Sequence, residues 1–505
     1  MILLATLNAR YSHASLGLRC LMANMGELTP MTRIEEYIIT DRPQDVAEAL
    51  LALRPRIIGL GVYIWNVEQS TKLVALLKRI SPETVIVLGG PEVSHEWEEQ
   101  RLVQLADHII TGPGDLAFAE LCRQVLKGAK PPKLLHAEQP SLESLRLPYE
   151  FYDERDIAQR TVYVEASRGC PFKCEFCLSA LDKTAWPFPL EHFLSAMDNL
   201  HARGLRQFKF VDRTFNLNVK ASLQILEFFL ERLDEHLFLH FEVVPDHLPD
   251  KLKEAIKRFP PGSLQFEVGI QTFNPEVQQR ISRRQDNDRT EANLRWLRSE
   301  TNAHIHADLI AGLPGEGLAS FAAGFDRLVG LEPHEIQVGV LKRLRGAPLD
   351  RHSQSFDLRY SPDPPYNVLS TSLMDFATLQ RISRFARYWD LVGNSGRFQN
   401  GLQLLLGSSP FERFMAFSDW LYACLGKTHQ LALDRLYDLT YQWLTEQGGV
   451  DSAAATQAIA RDFHASGTRS VPRFLAREGI RSPGPRVPAA GVKAPARQQR
   501  HLSGH

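Results

Sequence analysis

Three of the chain's six cysteines fall within eight consecutive positions, Cys170-Pro-Phe-Lys-Cys174-Glu-Phe-Cys177. Packing alone seldom crowds thiols this closely beside a glycine and a proline, here Gly169 and Pro171. A disulfide would pair two of them and strand the third, and six cysteines in 505 residues do not make a disulfide scaffold. Structural zinc closes a four-ligand site, yet the nearest histidine, His192, stands fifteen residues beyond Cys177. A [4Fe–4S] cluster held by three thiolates leaves one iron open, which suits the set as it stands. Cys170, Cys174 and Cys177 are therefore the candidate metal ligands, and the chemistry of the chain is sought around them.

The elements that position them follow from apolar runs. TVYVEAS (161–167) reads as a strand, so the cysteines occupy the loop at its C-terminal end. Further strands are expected at 207–212, 238–245, 264–271, 305–312 and 334–342, separated by amphipathic helical stretches. Six βα units over 161–345 predict an α/β fold with a partial (β/α)6 barrel. Its chemistry belongs at the C-terminal strand ends. Ahead of it, residues 1–130 alternate ILLATL, IIGLGVYI, VIVLGG and DHIITGPGD with helical segments, which predicts a Rossmann-like parallel sheet. Residues 131–160 read as a linker, 346–470 as a mainly helical domain and 471–505 as a disordered basic tail.

Cys170-x-x-x-Cys174-x-Phe176-Cys177 resembles the radical S-adenosylmethionine (radical SAM) signature, C-x-x-x-C-x-aromatic-C. The resemblance implies a [4Fe–4S] cluster on the three cysteines, SAM on the open iron, Phe176 packed near SAM, and reductive cleavage of SAM to a 5'-deoxyadenosyl radical. FKFVDRTFN stands where that family meets the amino group of SAM, which points to Asp212. HFEVVPD places Glu242 at a strand end, toward the ribose, and FEVGIQT offers Gln271. HADLIAGLPGE resembles the fifth-strand G-x-I-x-G-x-x-P pattern, and carries Asp308, Gly312 and Pro314. Glycine there lets backbone approach the adenine.

A Rossmann-like module ahead of such a barrel resembles the cobalamin-binding subgroup of the family. The resemblance assigns Gly61, Tyr63, Gly89, Gly90, Gly112 and Gly114 to cobalamin, since glycines at strand-to-helix turns admit a large ligand or its nucleotide tail. The D-x-H-x-x-G motif that gives many cobalamin proteins a cobalt-ligating histidine is absent. The nearest text is Tyr11-x-His13-x-x-x-Gly17, where His13 reads as a capping or loop histidine sooner than as a cobalt ligand. No G-x-G-x-x-G follows the first strand, which disfavours nicotinamide. Residues 360–406 resemble the extra helical domain of one branch of unknown function, with Tyr366 and Arg397 as pocket candidates.

A net charge of −1 gives no electrostatic reason to expect nucleic acid or membrane as partner. The expected protein is cytoplasmic, with an unknown substrate and an external electron donor such as flavodoxin or ferredoxin. Methylation of an unactivated carbon is the first expected reaction. The resemblance also allows a cobalamin-assisted cyclisation or rearrangement like that of the anaerobic Mg-protoporphyrin ester cyclase, or a non-catalytic protein that binds cobalamin and SAM.

Overall fold

Strand β1 (Ile2–Asn8) is buried along its whole length. Ile2 and Leu4 join one apolar cluster, while Leu3, Ala5 and Leu7 join another, because successive side chains leave a strand on opposite faces. A strand covered on both sides in this way belongs inside a parallel sheet. β1 lies between β2 (Thr32–Ile38) and β3 (Ile57–Gly61); β4 (Val85–Gly89), β5 (His108–Thr111) and β6 (Leu134–His136) complete a parallel sheet in the order β2-β1-β3-β4-β5-β6.

Two of these strands were not expected. β2 reads TRIEEYI and buries only Thr32; it is the sheet's edge, where charged side chains discourage further pairing and hide the apolar alternation. β6 falls within the expected 131–160 linker, so the first sheet runs on to His136.

The computed structural model describes residues 1–481 and 495–502, which divide into two compact units. The first is Met1–Arg213 with Lys342–Asp350 and Ser361–Asn367; the second is Thr214–Leu341 with Arg351–Tyr360 and the described residues from Val368 onward. After its sheet the first unit continues with β7 (Val162–Val164), an antiparallel hairpin of β8 (Ser167–Gly169) and β9 (Ala185–Pro187), and β10 (Gln207–Phe210), parallel to β7. The expected strand 161–167 thus stops at Val164, and its last residue starts the hairpin.

The second unit holds four parallel strands, β11 (Phe238–Val243), β12 (Leu264–Gln271), β13 (His304–Ala311) and β14 (Glu335–Val340), with helices between them. Five longer helices follow from Phe376 to Ser466. Their aromatic face is core: Trp389 packs edge-on against Phe325 at 4.8 Å and Phe414 at 4.9 Å. The expected tail is helical at Arg473–Arg477 and Ala496–Leu502. Its charges find partners there, since Arg497 meets Asp390 at 2.8 Å and Glu335 at 2.9 Å. The rest of that expectation, 482–494 and 503–505, lies outside the described residues. Among the described residues no helix is long and apolar enough to cross a membrane.

Candidate active site

The cysteine loop springs from the β8–β9 hairpin, and Gly169 sets its course. Gly169 has φ +86°, and a Cβ there would stand 2.4 Å from the Thr184 carbonyl oxygen and 2.7 Å from the Trp186 ring. Only glycine satisfies both conditions. The hairpin's start is pinned by Asp212, whose carboxylate accepts from the Ala166 N–H at 3.0 Å and the Ser167 hydroxyl at 2.6 Å. Burial pushes the Asp212 carboxyl up to about 6, against the pull of those two bonds. Its oxygens thus brace the path to the cysteines.

Within the loop the Cys177 N–H donates to the Cys174 carbonyl at 3.0 Å, and Lys173 ties the Ala180 and Asp182 carbonyls together. The Leu349 N–H donates to the Glu175 carbonyl at 3.0 Å, which fixes the loop's middle. No disulfide joins any of the six cysteines, so the disulfide reading falls. Cys170 is buried and Cys174, Phe176 and Cys177 are half-buried. Burial raises the Cys170 thiol, and the proximity of Cys177 and Cys174 adds to it. Three reduced thiols electrostatically coupled on one braced loop are a donor set that fits an iron–sulfur cluster.

A cleft of about 300 Å³ opens at the C-terminal ends of β3, β4 and β5. The order β2-β1-β3-β4-β5 switches direction beside β1 and β3, and open α/β sheets bind ligands at such a point. The expected glycines all line it and do two different jobs. Gly90 (φ +108°) and Gly112 (φ +78°) are required by the backbone: their Cβ atoms would stand 2.4 Å from the Val62 and 2.7 Å from the Ala137 carbonyl oxygens. Gly61, Gly89 and Gly114 keep the wall low, with ordinary contacts at 3.4–3.9 Å for an added Cβ. Tyr63 lines the cleft and stacks on Trp65 at 4.4 Å. A cavity of this size and lining fits a nucleotide-sized group.

Sequence reasoning missed the far wall of the cleft. Arg168 donates to Glu165 at 2.6 Å, to Asp115 at 2.9 Å and to the Cys20 sulfur at 3.4 Å, and all four residues line the cavity. Burial raises both the Glu165 carboxyl and the Cys20 thiol, with Arg168 opposing at each. Local spacing offered one hint, the Glu165–Arg168 pair directly before Cys170. Cys20 and Asp115 come from other elements and left none. His13 lies elsewhere: its Nδ1 is 2.5 Å from the Tyr163 hydroxyl, and burial, then Lys209, lowers its pKa.

The remaining expected SAM residues sit in the second unit. Gln271 ends β12 at φ +69°, beside a register irregularity between Gly269 and Gln271. A non-glycine residue held there marks strain of the kind that functional sites keep. Glu242 lies at the end of β11, and its carbonyl accepts from the Phe215 N–H at 3.1 Å. Gly312 follows β13 at φ +87°, where a Cβ would stand 2.6 Å from Val368. Asp308 is paired to His306 at 3.2 Å. Of the two pocket candidates, Tyr366 donates to Glu92 at 2.9 Å in the first unit, while the Arg397 carbonyl accepts from Tyr437 in the second.

The Radical SAM superfamily matches residues 164–328, the B12 binding domain residues 2–122, and a protein family of unknown function (DUF4080) residues 354–486. The cobalamin-dependent radical SAM methyltransferase TokK of Streptomyces tokunonensis is 23% identical over 364 residues, 64% of this chain and 52% of TokK. The uncharacterized methyltransferase PH0819 of Pyrococcus horikoshii is 26% identical over 204 residues, 36% of this chain and 44% of that protein. The chain spans about half the length of the curated relatives it matches. Among solved structures, the radical SAM methyltransferase TsrM from Kitasatospora setae, with cobalamin and a [4Fe–4S] cluster bound, aligns with a TM-score of 0.56 at 17% identity. The alignment covers 69% of this chain and 76% of TsrM. The α/β fold expected from the strand pattern is the fold these neighbours share.

Proposed function

We propose that this chain, which carries a B12 binding domain, a radical SAM domain and a C-terminal DUF4080 domain, is a cobalamin-dependent radical SAM enzyme that methylates an unactivated carbon. One observation carries the reading: Arg168 and Glu165 wall the glycine-lined cleft, and Arg168 stands two residues ahead of Cys170 on the same hairpin. A single rigid element thereby serves both cofactor sites.

Bound in those sites, the cluster with SAM and the corrinoid supply reductive SAM cleavage and a methyl carrier. The chain's own residues hold and orient. Cys170, Cys174 and Cys177 would hold the cluster, and Phe176 would pack beside SAM. Asp212 keeps the hairpin seated through Ala166 and Ser167. Arg168, neutralised by Glu165 and Asp115, forms a fixed polar wall that a bound nucleotide tail can meet without reorganisation. A low-potential donor of the flavodoxin or ferredoxin class in a reducing cytoplasm supplies the electron.

The test is product analysis after anaerobic reconstitution with iron, sulfide, cobalamin, SAM and a strong reductant. The reading expects 5'-deoxyadenosine and S-adenosylhomocysteine together, both absent without reductant and in Cys174→Ala. A correctly loaded cluster that yields 5'-deoxyadenosine alone would count against methyl transfer.

A further inference from the structure

In the second unit His304 begins β13 and Glu335 begins β14, at the strand ends opposite those that carry Gln271 and Gly312. We propose that His304, Glu335 and His501 form a site for a divalent ion of the zinc class, which fastens the helix Ala496–Leu502 to the strand starts. One ligand atom from each of the three residues lies within 4.8 Å of the other two. His304 Nε2 is 3.0 Å and His501 Nε2 4.0 Å from the same Glu335 oxygen, Oε1. Ligands at about 2.0–2.2 Å from zinc stand roughly 3–3.5 Å apart, so shifts of about an ångström close the site.

Charge pairing does not explain this convergence. Glu335 already has its counter-ion, since Arg497 Nε meets Oε2 at 2.9 Å and His306 Nδ1 stands 3.4 Å from that oxygen. Two further imidazoles nevertheless turn toward the other oxygen. With Oε2 held, Oε1 is fixed in direction, as outer partners fix a metal-bound carboxylate. The surroundings are equally set. The Asn394 side chain bonds both backbone groups of Ile336, at 2.9 and 2.8 Å, next to Glu335. His334 stacks on His304 at 4.6 Å. His304 and Glu335 are 5% and 3% exposed. His501 Nε2 donates to the Asn394 carbonyl at 3.0 Å, a bond exchanged for the ion on binding. A cleft of about 430 Å³ lined by His334, Asn394 and His501 gives an ion its route and room for a water as fourth ligand.

The test uses the full chain with its cluster reconstituted, dialysed against Zn²⁺ and then against metal-free buffer. Metal content and the zinc K-edge absorption spectrum are then recorded. The expected result is one zinc per chain in a shell of nitrogen and oxygen only, lost in His501→Ala. Arg497→Gln should weaken zinc binding about 10–100-fold, as loss of an outer partner does. No retained zinc, a shell containing sulfur, or full retention by His501→Ala would overturn the site and leave a clasp made of hydrogen bonds. Should His501→Ala fail to fold, the spectrum of the unaltered chain decides alone.

Discussion

Gly169 and Asp212 control the cysteine loop from either side of its path, one by absence of a side chain and one by presence. Gly169→Ala adds a Cβ 2.4 Å from a carbonyl oxygen at φ +86°, a strain of about 1–3 kcal/mol at the hairpin. Iron incorporation should fall while corrinoid binding persists; a fully loaded cluster would refute the hairpin's role. Asp212 predicts a pH effect whose sign is unusual for a carboxylate. Its folded pKa, about 6, lies above the ordinary value near 3.8, so the fold favours the protonated form. The group's stabilisation is complete below about 4 and is lost as pH rises to about 6, on the order of 2–3 kcal/mol. Urea midpoints of Asp212→Asn and the parent chain should therefore converge toward acid pH and separate above 6, with the variant the firmer. The three cysteines were legible in the sequence because their chemistry is local, within eight residues. Arg168's partners were not, since Asp115 and Cys20 lie 53 and 148 positions away and only folding brings them together.

Among the elements, the turn after β4 governs the cleft. Gly90→Val would drive a side chain into the Val62 carbonyl, 2.4 Å from its first carbon. Cobalamin binding should drop at least tenfold, or about 1.4 kcal/mol, while iron content stays at the parental level. Undiminished binding, followed by the corrinoid's absorbance on titration, would reduce the first sheet to a scaffold. Apolar runs revealed β1, β3, β4 and β5, whose central residues are apolar and buried. They missed β2 and β6 because an edge strand needs little apolar surface: β2 carries Arg33, Glu35 and Glu36, and β6 is three residues long and ends in His136. The tail helix escaped for a related reason. Its basic residues read as solvated until Glu335 and Asp390 are seen to receive them.

At the scale of the whole molecule, chain segments distant in sequence close the first unit. Residues 342–350 and 361–367 return to it, and Tyr366 and Arg345 both donate to the buried Glu92, at 2.9 Å each. Burial raises the Glu92 carboxyl against both bonds. Tyr366→Phe removes one donor and should destabilise this unit by about 1–3 kcal/mol, read as a lower transition temperature in calorimetry. An unchanged transition would return Tyr366 to the role of pocket residue. On the proposed reading, the two cofactor sites of this unit serve one methyl transfer. Its most direct test gives the anaerobically reconstituted chain a metabolite extract and SAM bearing a trideuterated methyl group, with Cys174→Ala as control, and seeks the label by mass spectrometry. The expected result is a product labelled on carbon that requires both cobalamin and the intact cysteines. Extract-dependent 5'-deoxyadenosine with no labelled product would contradict it, and would point to a radical rearrangement instead.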